Sequence, residues 1–156
     1  MEPEPTTTVV LTPDGEIECF TDDGFLPHIQ KFGTHQRSDI ALLRALVREG
    51  DLILDVGAFI GTMAVPLAKA VGSSGSLIAF EPVPKHAALL RKNLRRNGLI
   101  DRSEVVEALI GREQSGTFSA QRLPLSAATT WFGPCEEGDG TAVLTLDDWA
   151  TSKSLE

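Results

Sequence analysis

Four residues that border two short hydrophobic runs have the types and spacing to bind a nucleoside. Asp55, Gly57 and Gly61 form the pattern D-x-G-x-x-x-G, and Glu81 ends the next hydrophobic run, about one strand–helix–strand unit later. Glycine permits a positive φ and lets a ligand lie against bare backbone, and a helix opened by Gly61 offers free amides to a carboxylate. A carboxylate such as Glu81 can accept hydrogen bonds from both hydroxyls of a ribose. The pattern therefore predicts a site for a ligand that has a ribose and a charged end.

The glycine spacing distinguishes two nucleoside ligands. A dinucleotide site needs G-x-G-x-x-G so that a pyrophosphate can approach the backbone, and here the bulky Phe59 stands where the second glycine would be. The acidic Asp55 also suits an ammonium and a sulfonium better than phosphates. S-adenosylmethionine is therefore the predicted cofactor. A distant alternative is an NAD-dependent oxidoreductase, and a purely structural alternative is a tight strand-to-helix turn that binds no ligand.

The elements that must hold these residues follow from the hydrophobic pattern. Runs at 52–56, 77–80 and 105–110 lack polar alternation, as strands buried on both faces of a parallel sheet do. Between them, apolar residues recur at helical spacing, and Pro84 and Gly98 suit the first turn and the stop of the second intervening helix. The β-α-β-α-β order predicts an α/β, Rossmann-like fold with parallel strand order 3-2-1. A further helix is expected at 39–49.

The amino-terminal part has a different pattern. Residues 1–8 combine proline, threonine and carboxylates and predict a disordered tail. Two β-prone runs around Pro13-Asp14-Gly15 predict a β-hairpin, so that residues 9–33 form a hairpin region. Residues 34–156 then form the cofactor-binding domain.

Composition excludes several classes of protein. The 156 residues carry a net charge of −8, which argues against binding to nucleic acid or anionic lipid, and no apolar run is long enough to span a membrane. The two cysteines form no C-x-x-C pair and no secretory signal precedes them, so a cytoplasmic location is expected. The histidines, His28, His35 and His86, have no metal-ligand spacing, so no metal is predicted.

Four blocks in this order resemble the FkbM-type methyltransferases. They are the turn at 55–61, the run at 78–82, the helix at 89–98 and the late run at 144–148. The resemblance extends from about residue 34 to 148 and implies a class I S-adenosylmethionine-dependent enzyme. It implies O-methylation of a hydroxyl on a small-molecule or glycan acceptor, such as a sugar, a glycolipid or a secondary metabolite.

The resemblance also implies roles for individual residues. The methionine end of the cofactor would be held by Asp55, Gly57 and Gly61. The turn would be shaped by Ala58, Phe59 and Ile60. Glu81 would bind the ribose, and Ala108 would lie near the adenine. Family members often have Asn where Phe59 stands, so any polar contact from that side chain is missing here. No motif places a general base.

The end of the chain departs from the family pattern. The family continues past Asp148 with a helix and a fourth parallel strand beside the first, whereas this sequence ends at Glu156. We therefore expect a truncated chain with an incomplete sheet, whose first strand is an exposed edge open to self-association. The alternative function is a non-catalytic remnant that binds the cofactor weakly or not at all.

Overall fold

A computed structural model describes residues 5–34, 36–112, 117–122, 130–135 and 140–155. The strands are β1 (Thr7–Thr12), β2 (Gly15–Phe20), β3 (Leu52–Val56), β4 (Ser76–Phe80), β5 (Ser103–Val106), β6 (Leu109–Ile110), β7 (Thr117–Arg122), β8 (Thr130–Cys135) and β9 (Thr141–Leu144). The helices are α1 (Leu26–Phe32), α2 (Arg37–Leu46), α3 (Ala64–Ala70), α4 (Pro84–Arg96) and α5 (Leu146–Ser152), with a 3₁₀ turn at Ile100–Arg102. In the described part of the chain, every helix is too short or too polar to traverse a lipid bilayer.

A parallel sheet forms the centre of the fold. Its order is β3-β4-β5, and Leu54 pairs with Ile78 while Val56 pairs with Phe80. The connection from β3 to β4 passes through α3, and the connection from β4 to β5 passes through α4. The predicted α/β, Rossmann-like fold and the strand order 3-2-1 are therefore confirmed. All three strands present their carboxyl ends at one edge of the sheet, where ligands bind in this class of fold.

One face of this sheet packs against α3 and α4. Leu77 and Ala79 of β4 are buried there with Val65 of α3 and with Leu90 and Leu94 of α4. Full burial of a valine or leucine side chain contributes about 1.5–3 kcal/mol to the stability of the fold. This cluster fixes both helices, and with them the turns that precede each helix.

The opposite face is covered by α5 only in part. Phe80 lies edge-on to Trp149 of α5, with ring centroids 4.9 Å apart. The side chains that β3 presents to this face are exposed: Leu52 by 42%, Leu54 by 43% and Val56 by 51%. The prediction that the first strand is buried on both faces is therefore wrong for this face among the described residues, because α5 covers β4 and does not reach β3.

The third predicted strand divides in two. β5 pairs with β4, but β6 pairs with β9 in a second sheet of order β6-β9-β7-β8. β4 ends at Phe80, and Pro82 beyond it has no N–H to donate to a ladder. The chain therefore bends at Ala108, whose N–H donates to the Val106 carbonyl at 3.1 Å, and Ile110 pairs with Leu144 instead.

The amino-terminal hairpin is confirmed and packs on α4. β1 begins at Thr7, within the predicted tail of residues 1–8, because Thr7 and Thr8 pair with Phe20 and Cys19 of β2. The Thr7 hydroxyl also donates to Glu18 at 2.7 Å. Residues 1–4 of the predicted tail lie outside the described residues. The fully buried amide of Asn93 joins three segments: it accepts from the Glu18 N–H at 2.7 Å and donates to the Glu18 carbonyl at 3.0 Å and to the Ile60 carbonyl at 2.8 Å.

The helices differ from prediction mainly at their ends. The predicted 39–49 helix is α2, which begins two residues earlier and ends three residues earlier than predicted. The apolar spacing after the turn indicates a helix at 62–71, and α3 is shorter than that range at both ends. α1 was not predicted. It carries a proline in its first turn and ends at Gly33, whose φ of 79° is readily adopted only by glycine.

Candidate functional site

The turn after β3 folds over the end of β4. The N–H groups of Gly57 and Ala58 both donate to the Phe80 carbonyl, at 2.9 and 3.1 Å. Gly57 has a φ of 82° and Phe59 a φ of 51°, which is an uncommon conformation for an aromatic residue. The backbone N–H of Phe59 donates to the Glu81 carboxylate at 2.8 Å, which ties the turn to the end of the neighbouring strand.

The two glycines of the turn differ in their surroundings. A Cβ added to Gly57 would meet no atom within 4 Å, so the backbone there borders open space. A Cβ on Gly61 would lie 2.7 Å from Cδ1 of Leu90, so Gly61 allows close packing against α4. Gly57 therefore has the surroundings of a ligand contact, and Gly61 those of a packing position.

A cavity of about 510 Å³ lies at the carboxyl end of β3. Consecutive residues of β3 and the turn form one wall. The other walls are formed by residues that directly precede α1, α2 and α3 and by the first residue of β8. The lining residues are Asp55, Val56, Gly57, Ala58, Phe59, Phe25, Gln36, Thr62, Met63 and Thr130. This volume falls in the range of small-molecule and cofactor sites.

Asp55 is the charged residue of this cavity. Its Oδ2 is buried and has no hydrogen-bond partner among the described residues. Burial, and to a smaller extent the negative charge of Glu81, raise the pKa of Asp55 from 3.8 to about 6. The cavity therefore offers a carboxylate oxygen that lacks a donor, as a site for an ammonium group would.

A second cavity of about 180 Å³ adjoins Glu81 and shares Gly57 and Phe59 with the first. Glu81 is only 5% exposed; its Oε2 accepts from Phe59, and its Oε1 accepts from the Val83 N–H at 2.9 Å. Each carboxylate oxygen keeps a further lone pair; that of Oε1 lies near Nδ1 of His86, 3.4 Å away, and that of Oε2 can accept a hydrogen bond from a ligand. Pro82 and Ala108 supply apolar wall.

The structure brings six of the eight sequence-predicted residues to these cavities. Asp55, Gly57, Ala58 and Phe59 line the larger one, and Glu81 and Ala108 line the smaller one. Ile60 and Gly61 line neither; Ile60 is 1% exposed and contributes its carbonyl to Asn93. Among the described residues, no group of three or more His, Cys, Asp or Glu side chains could hold a metal ion.

Sequence reasoning missed several lining residues. His86, which the sequence pattern assigned to no site, is 2% exposed and lines the smaller cavity. A signal was present, because His86 precedes Leu90 by four positions on α4 and so shares its buried face. Phe25 and Gln36 carried no such signal, because their elements reach the cavity only through tertiary packing. His35 lies outside the described residues.

Comparison with known proteins indicates the class of enzyme. No family model matches the chain. The chain is 34% identical over 68 residues to tRNA (adenine(57)-N(1)/adenine(58)-N(1))-methyltransferase TrmI of Methanocaldococcus jannaschii, a match that covers 44% of this chain and 24% of that protein. It is 41% identical over 54 residues to catechol O-methyltransferase of Mycobacterium tuberculosis, covering 35% of this chain and 24% of that protein. Both relatives are methyltransferases, which supports the predicted enzyme class.

A solved structure supports the fold. P. horikoshii TYW2 in complex with MeSAdo matches with a TM-score of 0.53 and 21% identity, covering 74% of this chain and 40% of that one. A likeness at this identity shows the fold alone. The chain spans about a quarter of the length of the two curated relatives that it matches.

Proposed function

We propose that this chain binds S-adenosylmethionine and functions as a methyltransferase, which transfers the methyl group of the cofactor to a hydroxyl of a small-molecule or glycan acceptor. The observation that carries the proposal is the buried Oδ2 of Asp55, which lacks a donor, beside the bare backbone of Gly57 in a cavity of about 510 Å³. The two relatives are both named as methyltransferases, which supports methyl transfer, although their named acceptors differ.

The residues present fit this cofactor. Asp55 would hold its ammonium group, because that group supplies the donor that Oδ2 lacks. Glu81 would accept a hydrogen bond from a ribose hydroxyl with the lone pair of Oε2 that the backbone amides do not occupy. Pro82 and Ala108 would contact the adenine through the apolar wall of the smaller cavity.

When bound, the cofactor supplies a methyl group on a sulfonium. The protein would then act mainly by holding the acceptor oxygen close to that methyl group, an effect that can provide up to roughly 7–11 kcal/mol of the barrier. Asp55 is the only carboxylate among the described residues that line the larger cavity, and its proposed role is in binding. We therefore assign no residue as general base.

The proposal of a hydroxyl acceptor is based on the resemblance to FkbM-type methyltransferases. It agrees with the name of one relative, catechol O-methyltransferase. The other relative is named as a tRNA methyltransferase. The net charge of −8 favours a small molecule over a polyanion, because a nucleic acid is held chiefly through cationic contacts to its phosphates.

A pair of glycine variants tests the cofactor site. Gly57 (φ 82°) and Gly98 (φ 66°) both have positive φ, and an added Cβ would meet no atom within 4 Å at either position. Gly57→Ala and Gly98→Ala should therefore each lose about 1–2 kcal/mol of stability through the same backbone strain. Only Gly57 lines the cavities, so only Gly57→Ala should weaken binding of S-adenosylhomocysteine in calorimetry.

Several results would contradict this proposal. They are binding of NAD without binding of S-adenosylhomocysteine, or equal affinities in the two alanine variants and the wild type. Transfer of a radiolabelled methyl group to any hydroxyl acceptor would establish the enzyme. Cofactor binding without transfer to an acceptor panel would favour the non-catalytic remnant, for which the uncovered face of β3 is the supporting observation.

We also propose that two copies of the chain associate through β3. Among the described strands β3 pairs only with β4, so its other edge carries unpaired N–H and C=O groups beside the exposed Leu54 and Val56. Such an edge is a template for a second strand. Sedimentation should show a dimer that Leu54→Lys disrupts, whereas Leu42→Lys, at a more exposed leucine on α2, should leave it intact. A monomer at every concentration would exclude this association.

A further inference from the structure

The smaller cavity contains a buried histidine that the proposed cofactor contacts leave without a role. His86 is 2% exposed, and its Nδ1 lies 3.4 Å from Oε1 of Glu81. Its ring packs edge-on against Phe59, with centroids 4.7 Å apart, and lies 5.7 Å from the ring of Phe20. The ring thus lies between the hydrophobic core and the carboxylate that faces the cavity.

The surroundings of the two ring nitrogens decide which of them carries the proton. Nε2 is buried and has no hydrogen-bond partner among the described residues, whereas Nδ1 faces a carboxylate oxygen. A proton on Nε2 would leave a buried donor unpaired and would point the Nδ1 lone pair at the carboxylate. A proton on Nδ1 avoids both costs, since it places a positive N–H hydrogen near the negative carboxylate; at 3.4 Å the contact is longer than a good hydrogen bond, and a small rotation of the ring would shorten it.

The carboxylate itself is held from three directions. The N–H groups of Phe59 and Val83 fix one oxygen each, and His86 approaches Oε1 from α4. A buried carboxylate held in this way keeps the direction of its remaining lone pair, which is on Oε2, because the side chain cannot rotate without breaking these contacts. Partners of this kind are what fix a binding group before its ligand arrives.

We propose that His86 is a positioning residue, which donates from Nδ1 to Oε1 of Glu81 and thereby orients the remaining lone pair on Oε2 toward a ribose hydroxyl. This inference rests on the proposed function, since it assumes that an adenosyl ligand occupies the smaller cavity. The competing role is packing alone, in which the ring only fills space against Phe20 and Phe59. The two roles differ in whether the effect of His86 passes through Glu81.

A first experiment measures affinity for S-adenosylhomocysteine and for its 2′,3′-dideoxy analogue, which lacks both ribose hydroxyls. His86→Phe keeps an aromatic ring but removes the donor, so it should raise the Kd of S-adenosylhomocysteine about tenfold, as expected for one hydrogen bond to a charged group. It should leave the Kd of the dideoxy analogue unchanged. His86→Asn, whose amide can place an N–H near the position of Nδ1, should restore most of the lost affinity.

A double-mutant cycle provides the second test. In a Glu81→Gln background, His86→Phe should have little further effect on the Kd of S-adenosylhomocysteine, because the group through which it acts has already been changed. An equal loss in both backgrounds, or for both ligands, would overturn the positioning role and leave packing. An unchanged Kd in His86→Phe, with S-adenosylhomocysteine bound by the wild type, would overturn it as well while the proposed function stands.

A measurement on the unsubstituted protein covers the case in which His86→Phe fails to fold. Nitrogen-15 NMR of the imidazole ring distinguishes the two neutral tautomers. The proposal requires a protonated Nδ1 and a bare Nε2; the reverse tautomer would overturn it. If the wild type binds no adenosyl ligand at all, the inference falls together with the proposed function, and the affinity measurement on the wild type shows that directly.

Discussion

Neutralising Asp55 should stabilise the protein without ligand, and the gain should depend on pH. The pKa of Asp55 is 3.8 when unperturbed and about 6 in the folded protein, chiefly because of burial. This difference corresponds to about 3 kcal/mol at ~1.4 kcal/mol per pH unit. Since the folded state holds the proton more tightly, the contribution of Asp55 to stability is full below pH 3.8 and is lost as pH rises through about 6.

The comparison of Asp55→Asn with the wild type isolates this effect. Asn cannot ionise, so the variant should gain stability relative to the wild type as pH rises from about 4 to about 7, by up to about 3 kcal/mol. Urea unfolding at a series of pH values measures the gap. Asp39→Asn makes the same change of charge on the exposed first turn of α2 and is the matched control.

Two results would refute this reasoning. A gap between Asp55→Asn and the wild type that stays constant across the pH range would show that burial does not perturb the carboxyl group. A gap of the same size and pH dependence in Asp39→Asn would show that net charge is responsible.

Binding provides the complementary measurement at the same residue. If Asp55 holds the ammonium group, Asp55→Asn should weaken binding of S-adenosylhomocysteine by about 1.5–3 kcal/mol, the range for hydrogen bonds to charged groups. Methylthioadenosine has no amino-acid portion, so its affinity should not change. A stability gain without a loss of affinity for S-adenosylhomocysteine would separate the electrostatics of Asp55 from its proposed role.

Three further predictions concern single side chains. Glu81→Ala should weaken binding of S-adenosylhomocysteine by at least about 1 kcal/mol, since it removes the proposed ribose acceptor; an unchanged calorimetric Kd would contradict that role. Asn93→Ala should cost about 2–4 kcal/mol in urea unfolding, because it removes three buried hydrogen bonds and leaves their partners unsatisfied; a loss below 1 kcal/mol would show that water replaces them. Trp149→Ala should cost about 3–5 kcal/mol, because the ring covers Phe80 on the face that α5 protects; a small loss measured by thermal unfolding would mean that this face tolerates exposure.

Local signals predicted the central part of the fold. The helix α4 begins at Pro84 and is followed by Asn97 and Gly98, as the sequence indicates. These ends were predictable because a proline in the first turn and a glycine after the last turn affect the backbone only within a few residues. The three parallel strands followed from runs without polar alternation. The turn at Asp55 and the acid at Glu81 were recognisable because parallel strands bring their carboxyl ends together.

The remaining features depend on contacts distant in sequence. The break at Ala108 arises because β6 pairs with β9, more than thirty residues later, and no local pattern reports that choice. The exposure of Leu54 depends on how far α5 extends over the sheet. The burial of His86 had a weak local signal in its spacing from Leu90, but its proximity to Glu81 required the packing of α4 on the sheet.

The single amide of Asn93 links the amino-terminal hairpin directly to the turn at 57–61. Its NH₂ group serves the Glu18 carbonyl in the hairpin and the Ile60 carbonyl in the turn. Separating the hairpin from α4 would free this group to rotate and would remove a restraint on the turn. Altered hydrogen exchange at Gly57 after a substitution in β2 would therefore report long-range communication between the amino terminus and the ligand cavity.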